Sequence, residues 1–271
     1  MKITVPRGAC DTHMHFYDER APAAPGTFLP GTFTVAQYRA LQKRLGLERV
    51  IVVQPNAYAD ENTVTLNAMR ELGEGAKGVA VVKPTVKDAE LQRLTKAGIC
   101  AVRIMTLHGG MLGFDVIDAV MARVHPFGWH ANIQLDGREL PTHEAQIKRL
   151  PGKFVIDHTG KFLEPVAPEH AAFKSLLRLV DSGRCWVKLS APYETSKSGP
   201  PKYEDVGRLA KALVKHAPER MLWASNWPHP SARRPAPPRD EELLDLLAEW
   251  APDPAVQKKI LADNPAELYG F

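Results

Sequence analysis

Short apolar, β-branched runs alternate along the chain with longer segments of helical periodicity, and this alternation restricts the fold more than any other feature. Eight runs are long enough for strands, at residues 9–16, 49–54, 78–83, 100–105, 130–135, 154–158, 186–190 and 221–226. Amphipathic segments lie between them at residues 34–46, 61–73, 87–97, 114–127, 141–149, 168–182, 203–217, 239–249 and 254–263. Repeated β-α units predict an α/β fold with a parallel sheet, and eight units match a (β/α)8 TIM barrel. Because composition does not break anywhere, we expect one barrel domain over residues 1–271.

Residues typical of helix caps and turns support these boundaries. Thr34 is a candidate N-cap for the helix that follows it, and Gly46 stands where a left-handed C-terminal residue is expected. Two segments interrupt the regular pattern: residues 17–31, rich in Pro and Gly, and residues 228–238, rich in Pro and Arg. Each follows a predicted strand and so lies on the carboxyl-terminal rim of the barrel. Long loops on that rim commonly cover a site, so we expect both to act as lids.

Charge and cysteine usage exclude several classes of protein. The 35 basic and 31 acidic residues leave a net charge of +4 without a run of like sign, so no nucleic-acid or membrane partner is expected, whereas a small anionic substrate fits. Cys10, Cys100 and Cys185 lie far apart in apolar stretches, which indicates reduced thiols in a cytoplasmic protein. The first ten residues lack the apolar region of a signal peptide, and no run approaches the roughly 18 apolar residues of a membrane helix. The sequence does not predict an oligomeric state.

The first predicted strand carries the motif Asp11-Thr12-His13-Met14-His15. Because side chains alternate between the two faces of a strand, Asp11, His13 and His15 are expected to point the same way. Two imidazoles and a carboxylate in one small volume predict either half of a divalent-metal site or a proton-handling cluster. A single His is more often structural, and it is the paired spacing that favours function here.

The carboxyl ends of the other predicted strands are also polar. In a barrel these ends meet at one mouth, and polar groups on otherwise apolar strands need partners or a function. Singly, each has a structural alternative: Arg103 could pair with a rim carboxylate, and Lys188 could extend to water. Together they predict an active site. In chain order the strand-end residues are His13, His15, Gln54, Asn56, Lys83, Arg103, Gln134, Asp136, Asp157, His158, Lys188, Tyr193, Asn226 and His229.

Five motifs together resemble the amidohydrolase superfamily. They are D-T-H-M-H from Asp11, V-I-D-H-T-G-K around His158, V-K-L-S around Lys188, S-N-W-P-H around Asn226 and the final N-P-A-E-L-Y-G-F. The resemblance extends from residue 11 to residue 271. It is strongest to the branch of 2-pyrone-4,6-dicarboxylate lactonase and D-galactarolactone isomerase, and closest to the isomerase, whose motif has Asn at the position of Asn226. It implies a (β/α)8 barrel that acts on a carboxylated lactone without a bound metal.

Asn226 bears on the type of reaction. In hydrolytic members of the superfamily an acid at this position binds the metal or takes a proton from water, and a neutral amide does neither well. Arg103 and Gln134 stand where a bridging Lys or Glu of a binuclear centre would be expected. The resemblance therefore implies isomerisation of a sugar-diacid lactone by intramolecular transesterification, with no cofactor.

Individual roles follow from side-chain chemistry. The predicted catalytic residues are His13, His15, His158, Lys188 and Asn226. His158 is the first choice for the general base because Asp157 and Lys161 beside it can set its tautomer or its pKa. Cationic groups such as Lys188 can stabilise an oxyanion, and arginine can hold a substrate carboxylate by two hydrogen bonds. The predicted substrate-binding residues are Asp11, Gln54, Asn56, Arg103, Gln134, Tyr193, His229, Arg233 and Arg234.

Three alternatives stay open. A lactonase would hydrolyse a carboxylated lactone such as a pyrone dicarboxylate, with His13 and His15 helping to activate water. A mononuclear hydrolase or decarboxylase would hold a single divalent metal, with His13, His15 and His158 as ligands. A non-catalytic binding protein with a lost site would account for Asn226 but not for the other polar groups at the mouth.

Overall fold

Eight parallel strands form one sheet in chain order in the computed structural model, which describes residues 2–231 and 237–271. The strands are β1 (Cys10–Met14), β2 (Arg49–Val53), β3 (Ala76–Ala80), β4 (Ile99–Met105), β5 (His130–Gln134), β6 (Phe154–Ile156), β7 (Cys185–Leu189) and β8 (Met221–Trp223). The sheet closes where the Asn226 N–H donates to the His13 carbonyl at 2.9 Å and the Thr12 hydroxyl donates to the Trp223 carbonyl at 2.8 Å. The predicted (β/α)8 barrel is confirmed.

A helix follows each strand. The helices are α1 (Val35–Leu45), α2 (Thr63–Leu72), α3 (Asp88–Lys96), α4 (Ile117–Val124), α5 (Leu140–Arg149), α6 (Ala171–Val180), α7 (Glu204–His216), α8 (Asp240–Trp250), α9 (Pro254–Lys258) and α10 (Asn264–Tyr269). Thr34 caps α1 through a reciprocal capping box with Gln37, and Gly46 ends it with a φ of 73°, as predicted. The segment predicted as one helix at 254–263 is α9 followed by a π-helical turn at Lys259–Asp263, and α10 extends beyond the predicted end. None of the helices within residues 2–231 and 237–271 is both long and apolar enough to cross a membrane.

The apolar core has two layers. Residues such as Leu41 and Leu94 fill the space between strands and helices, and Ile51 and Leu222 belong to a second cluster with Leu268 and Tyr269 of α10. The final turn is attached to the bottom of β3, where the Lys77 ammonium donates to the carbonyls of residues 269 and 270. Because this end is closed, the opposite end of the barrel is the one that can receive a ligand.

Seven of the eight strands end one to three residues before the predicted bound, and the early ends of β6 and β8 place two site residues on turns. β6 stops at Ile156 and β8 stops at Trp223, whereas the predicted strands continue to residues 158 and 226. His158 and Asn226 have positive φ angles, 53° and 58°. That left-handed conformation is unusual for residues other than Gly and incompatible with an extended strand. Both side chains therefore stand on turns above the sheet instead of in it.

Acid stability should depend on His130, which begins β5 and is buried with its ring 5.5 Å from that of Tyr269. Burial, reinforced by Lys188 and Lys153, lowers the pKa of His130 from 6.5 to about 3. The unfolded chain thus binds a proton below pH 6.5 that the folded chain does not, so stability present above that pH is lost as the pH falls. From pH 6.5 to about 4.5 this group removes about 2.5 kcal/mol from the free energy of unfolding.

His130→Leu should reduce the fall in unfolding free energy across that pH range by about the same amount, as measured by urea denaturation. His125→Leu, at an exposed position, is the matched control and should leave the pH slope unchanged. Equal slopes in the wild type and His130→Leu would contradict the assignment.

Candidate active site

A cavity of about 570 Å³ lies at the carboxyl-terminal mouth of the barrel. Several predicted site residues line it, and the predicted cover at 17–31 contributes Tyr17, Gly26, Thr27 and Phe28. The predicted residues in the lining are His15, Asn56, Arg103, Gln134, His158 and Asn226. Six others stand behind the lining: Asp11, His13, Gln54, Lys188, Tyr193 and His229. Arg233 and Arg234 lie outside the described residues.

The two β1 imidazoles form a chain with fixed proton positions. Burial lowers the pKa of both His13 and His15, so each is neutral and carries one ring proton. His15 Nδ1 lies 2.7 Å from the Val53 carbonyl, which can only accept, so the His15 proton is on Nδ1. The His13 Nε2–H must then donate to His15 Nε2 at 3.2 Å. This leaves His13 Nδ1 as an acceptor for the Lys188 ammonium, also at 3.2 Å.

Lys188 is a fully buried cation beneath this chain. Besides His13, its ammonium donates to Asn132 Oδ1 and lies next to Asp157 Oδ1, each at 3.1 Å. The Asn132 amide donates to both Asp157 oxygens, at 2.8 and 2.9 Å. Burial opposes ionisation of Asp157 more than any single neighbour favours it, but the Lys188 charge together with the contacts of His13 lowers the pKa of Asp157 well below its usual value. The predicted catalytic Lys188 therefore does not line the cavity, and its hydrogen bonds reach the lining residue His15 only through His13.

Asp11 holds the barrel seam together and does not stand in the substrate wall as predicted. Its carboxylate accepts hydrogen bonds from the Ser225 backbone and hydroxyl, from the Tyr38 hydroxyl and from the His13 backbone N–H. Burial raises the pKa of Asp11 to about 6, and these donors oppose the rise. Its bonds reach the His13 backbone but not either imidazole ring, because the register of β1 shifts between Asp11 and Met14 and the Asp11 side chain meets Tyr38 of α1.

His158 presents a neutral imidazole to the cavity. Its Nδ1 lies 2.8 Å from the Ser190 hydroxyl, and its ring centroid is 4.7 Å from that of His13. Burial lowers the pKa of His158 to about 3, with Lys161 and Lys188 adding to the effect and Glu194 opposing it. The Ser190 hydroxyl can donate or accept, and in the tautomer with the proton on Nδ1 the lone pair of Nε2 is the proton acceptor.

Arg103 crosses the mouth from β4 and is held by its neighbours. Nη1 donates to the Gln54 carbonyl at 2.8 Å and to Asn56 Oδ1 at 3.1 Å, and Nη2 donates to Gln134 Oε1 at 2.9 Å. Gln54 contributes only its backbone, because its side-chain amide donates to the Glu61 carbonyl at 2.8 Å. In the described part of the chain Arg103 Nε has no hydrogen-bond partner. A guanidinium fixed in this way is suited to a substrate carboxylate.

A chain of four side chains fixes the Asn226 amide. His229 Nε2 donates to Asp240 Oδ1 at 3.0 Å, its Nδ1 lies 2.9 Å from the Tyr193 hydroxyl, and Asn226 Nδ2 donates to that hydroxyl at 2.8 Å. Tyr193 and His229, predicted to bind substrate, thus support Asn226 from behind. The amide nitrogen is turned to this chain, so Oδ1 is the atom left to accept from a ligand.

Glu194 is the main lining residue that the sequence analysis missed. It follows β7, lines the cavity, and its buried carboxylate is paired with Lys161. Its Oε1 also lies 3.3 Å from Asn226 Nδ2. The strand-end rule that selected Tyr193 applies equally to the next residue, and this signal was present in the sequence. Asn132 was missed similarly: it precedes Gln134 by two positions on the same face of β5.

A set of metal-ligating side chains also lies at the mouth. His13, Asp157 and His158 have ligand atoms within 4.8 Å of one another, so Asp157 replaces the His15 of the predicted set. The set fits a divalent cation poorly. The Lys188 ammonium already contacts both Asp157 Oδ1 and His13 Nδ1, and a second cation between those atoms would be repelled by it.

Known proteins resemble the chain along its full length. D-galactarolactone isomerase of Agrobacterium fabrum strain C58 is 38% identical over 97% of this chain and 91% of its own length. A 2-pyrone-4,6-dicarboxylate hydrolase of Comamonas testosteroni is 33% identical over 99% of this chain and 92% of its own length. A ligand-free crystal structure from Agrobacterium tumefaciens superimposes with a TM-score of 0.90 at 37% identity, covering 98% of this chain and 97% of that one.

The family model described as Amidohydrolase matches residues 10–271, nearly the same span as the motifs found in the sequence. The predicted family is confirmed by this match and by the two relatives above 30% identity. The chain belongs to the amidohydrolase family.

Proposed function

We propose that this enzyme isomerises a sugar-diacid lactone by intramolecular transesterification, without a metal ion. Its relatives are named as a lactone isomerase and lactone hydrolases, which agrees with the lactone conversion predicted from the sequence. The observation that carries the choice of isomerisation is Asn226 in the cavity lining. An amide cannot take a proton from water at neutral pH, so the group that would start hydrolysis is missing from this wall.

The carboxylate beside Asn226 does not supply the missing base. Although burial raises the pKa of Glu194, the ion pair with Lys161 brings it down to about 2. An imidazole has an ordinary pKa much nearer to neutral, and a bound anionic substrate raises the pKa of His158 towards that value. His158 is therefore the stronger proton acceptor of the two, and we assign it the role of general base.

The proposed reaction balances within the substrate. His158 Nε2 takes the proton from a substrate hydroxyl, the oxygen attacks the lactone carbonyl carbon, the original ring C–O bond breaks, and the same Nε2–H protonates the leaving oxygen. Arg103 holds the free carboxylate. The Lys188 charge behind His13 and His15 favours negative charge on the carbonyl oxygen at that wall. No water is consumed.

Asn226→Asp should convert part of the turnover to hydrolysis, because it places a carboxylate where the amide stands. With D-galactarolactone as substrate, NMR should show a ring isomer for the wild type, and open-chain acid forming about a hundredfold faster in the variant. Asn226→Leu is the control of similar size and should lose isomerisation without gaining hydrolysis. Ring opening with proton release by the wild type would contradict isomerisation and favour the lactonase alternative.

His158→Asn should lower kcat by about a hundredfold or more with a smaller change in KM, because the base acts in the transition state. The wild-type kcat/KM, which reports the free enzyme, should be flat around neutral pH and decline only as the pH falls towards about 3, since the neutral form of His158 is the active one. His125→Asn on the surface should behave as the wild type. A kcat for His158→Asn within about twofold of the wild type would exclude His158 as the base.

Chelation tests the metal alternative. Because Lys188 stands at the side of both His13 and Asp157 that a cation would approach, treatment with a strong chelator should leave the isomerisation rate unchanged. Elemental analysis should find no stoichiometric zinc or manganese. Activity that is lost on chelation and restored by zinc would support the mononuclear metal enzyme instead.

A further inference from the structure

Two ionic side chains of opposite sign face each other across the cavity. Of the described residues in its lining, Arg103 and Glu194 are the two drawn from Asp, Glu, Lys and Arg. Arg103 comes from β4 and Glu194 follows β7, and these strands lie on nearly opposite sides of the eight-stranded barrel. A bound ligand therefore meets a cation at one end and an anion at the other.

Glu194 is ionised although its side chain is only 5% exposed. Burial opposes the charge, but the charge and hydrogen bond of Lys161, with the Ser231 hydrogen bond, bring the pKa of Glu194 down to about 2. One oxygen pairs with Lys161, the other accepts a long bond of 3.3 Å from Asn226, and the Ser231 side chain also donates to the carboxylate. Because a carboxylate has about four acceptor positions, one position stays open to a ligand in the cavity.

On the basis of the proposed function, we infer that Glu194 sets substrate specificity by accepting hydrogen bonds from ring hydroxyls and by repelling a second carboxylate. The site then takes a polyhydroxylated lactone with a single free carboxylate, held at Arg103. A planar dicarboxylate without hydroxyl groups is excluded. This separates the two substrate classes that the sequence analysis left open.

The chemistry of the two classes supports the assignment. A sugar-diacid lactone has one carboxyl group in the ring ester, so it offers one anion and several O–H donors, and O–H to carboxylate bonds are among the stronger hydrogen bonds. A pyrone dicarboxylate offers two anions and no hydroxyl donor. Its second carboxylate would meet Glu194 in a buried site where the nearest cation, Lys161, is already paired.

Binding of two unreactive probes tests the inference without relying on turnover. D-gluconate carries one carboxylate and several hydroxyls, and isophthalate is a planar dicarboxylate without hydroxyls. Titration calorimetry should show the wild type binding gluconate at least about tenfold more tightly than isophthalate. Glu194→Gln should weaken gluconate binding and strengthen isophthalate binding, so that the preference shifts by about a hundredfold.

A second variant removes the ambiguity left by Lys161, which Glu194→Gln leaves unpaired. The double variant Lys161→Met/Glu194→Gln carries neither charge and should also lose the preference for gluconate. Glu164→Gln, on an exposed residue that pairs with Lys197, should bind both probes as the wild type does.

Three results would overturn the inference: no binding of either probe to the wild type, a preference unchanged in Glu194→Gln, or a wild-type preference restored in the double variant. Failure of isomerisation alongside an intact, Glu194-dependent preference would contradict the proposed reaction alone.

Discussion

The buried Lys188 ammonium is the constraint on which the rest of the site depends. A cation removed from water is tolerated only when partners replace its hydration, and here they come from three other strands: His13 of β1, Asn132 of β5 and Asp157 after β6. Its contact with His13 also determines which nitrogen of each β1 imidazole carries the proton. The site thus has a fixed positive charge below the cavity, in contact with His13 and Asp157.

Much of the architecture could be predicted because the relevant signals are local. The alternation of apolar runs and amphipathic segments gave the eight units, and capping chemistry placed α1 between Thr34 and Gly46. From the barrel it follows that strand ends share one mouth, which correctly placed His15, Arg103, Gln134 and Asn226 in one cavity. Because all strands of the barrel end at the same mouth, knowing which residues end the strands is enough to group residues from distant parts of the chain into one site.

The parts of the site that could not be predicted depend on irregularities in the strands and on the conformation of turns, and neither is encoded in sequence periodicity. Alternation predicts that Asp11, His13 and His15 share one face, but the register of β1 shifts between Asp11 and Met14. Asp11 contacts Tyr38 of α1 instead, and of the three residues only His15 lines the cavity. Gln54 directly follows β2, yet its side-chain amide donates to the Glu61 carbonyl in the next loop instead of facing the cavity. The left-handed conformation of His158 lifts its ring above β6, and propensity does not anticipate such a conformation.

A neutral residue in the place of an acid is sometimes a sign of a lost site, but the surroundings of Asn226 argue otherwise. The amide is oriented by a chain of hydrogen bonds that runs through Tyr193 and His229 to Asp240. These three residues come from two separate loops and from the start of α8. An acid at residue 226 would present a charge to Glu194 at 3.3 Å, and the two carboxylates could not both ionise without cost. The amide removes that conflict and keeps an acceptor facing the cavity. The pair of Asn226 and Glu194 therefore fits a site that binds hydroxyl groups of the substrate and does not activate water for hydrolysis.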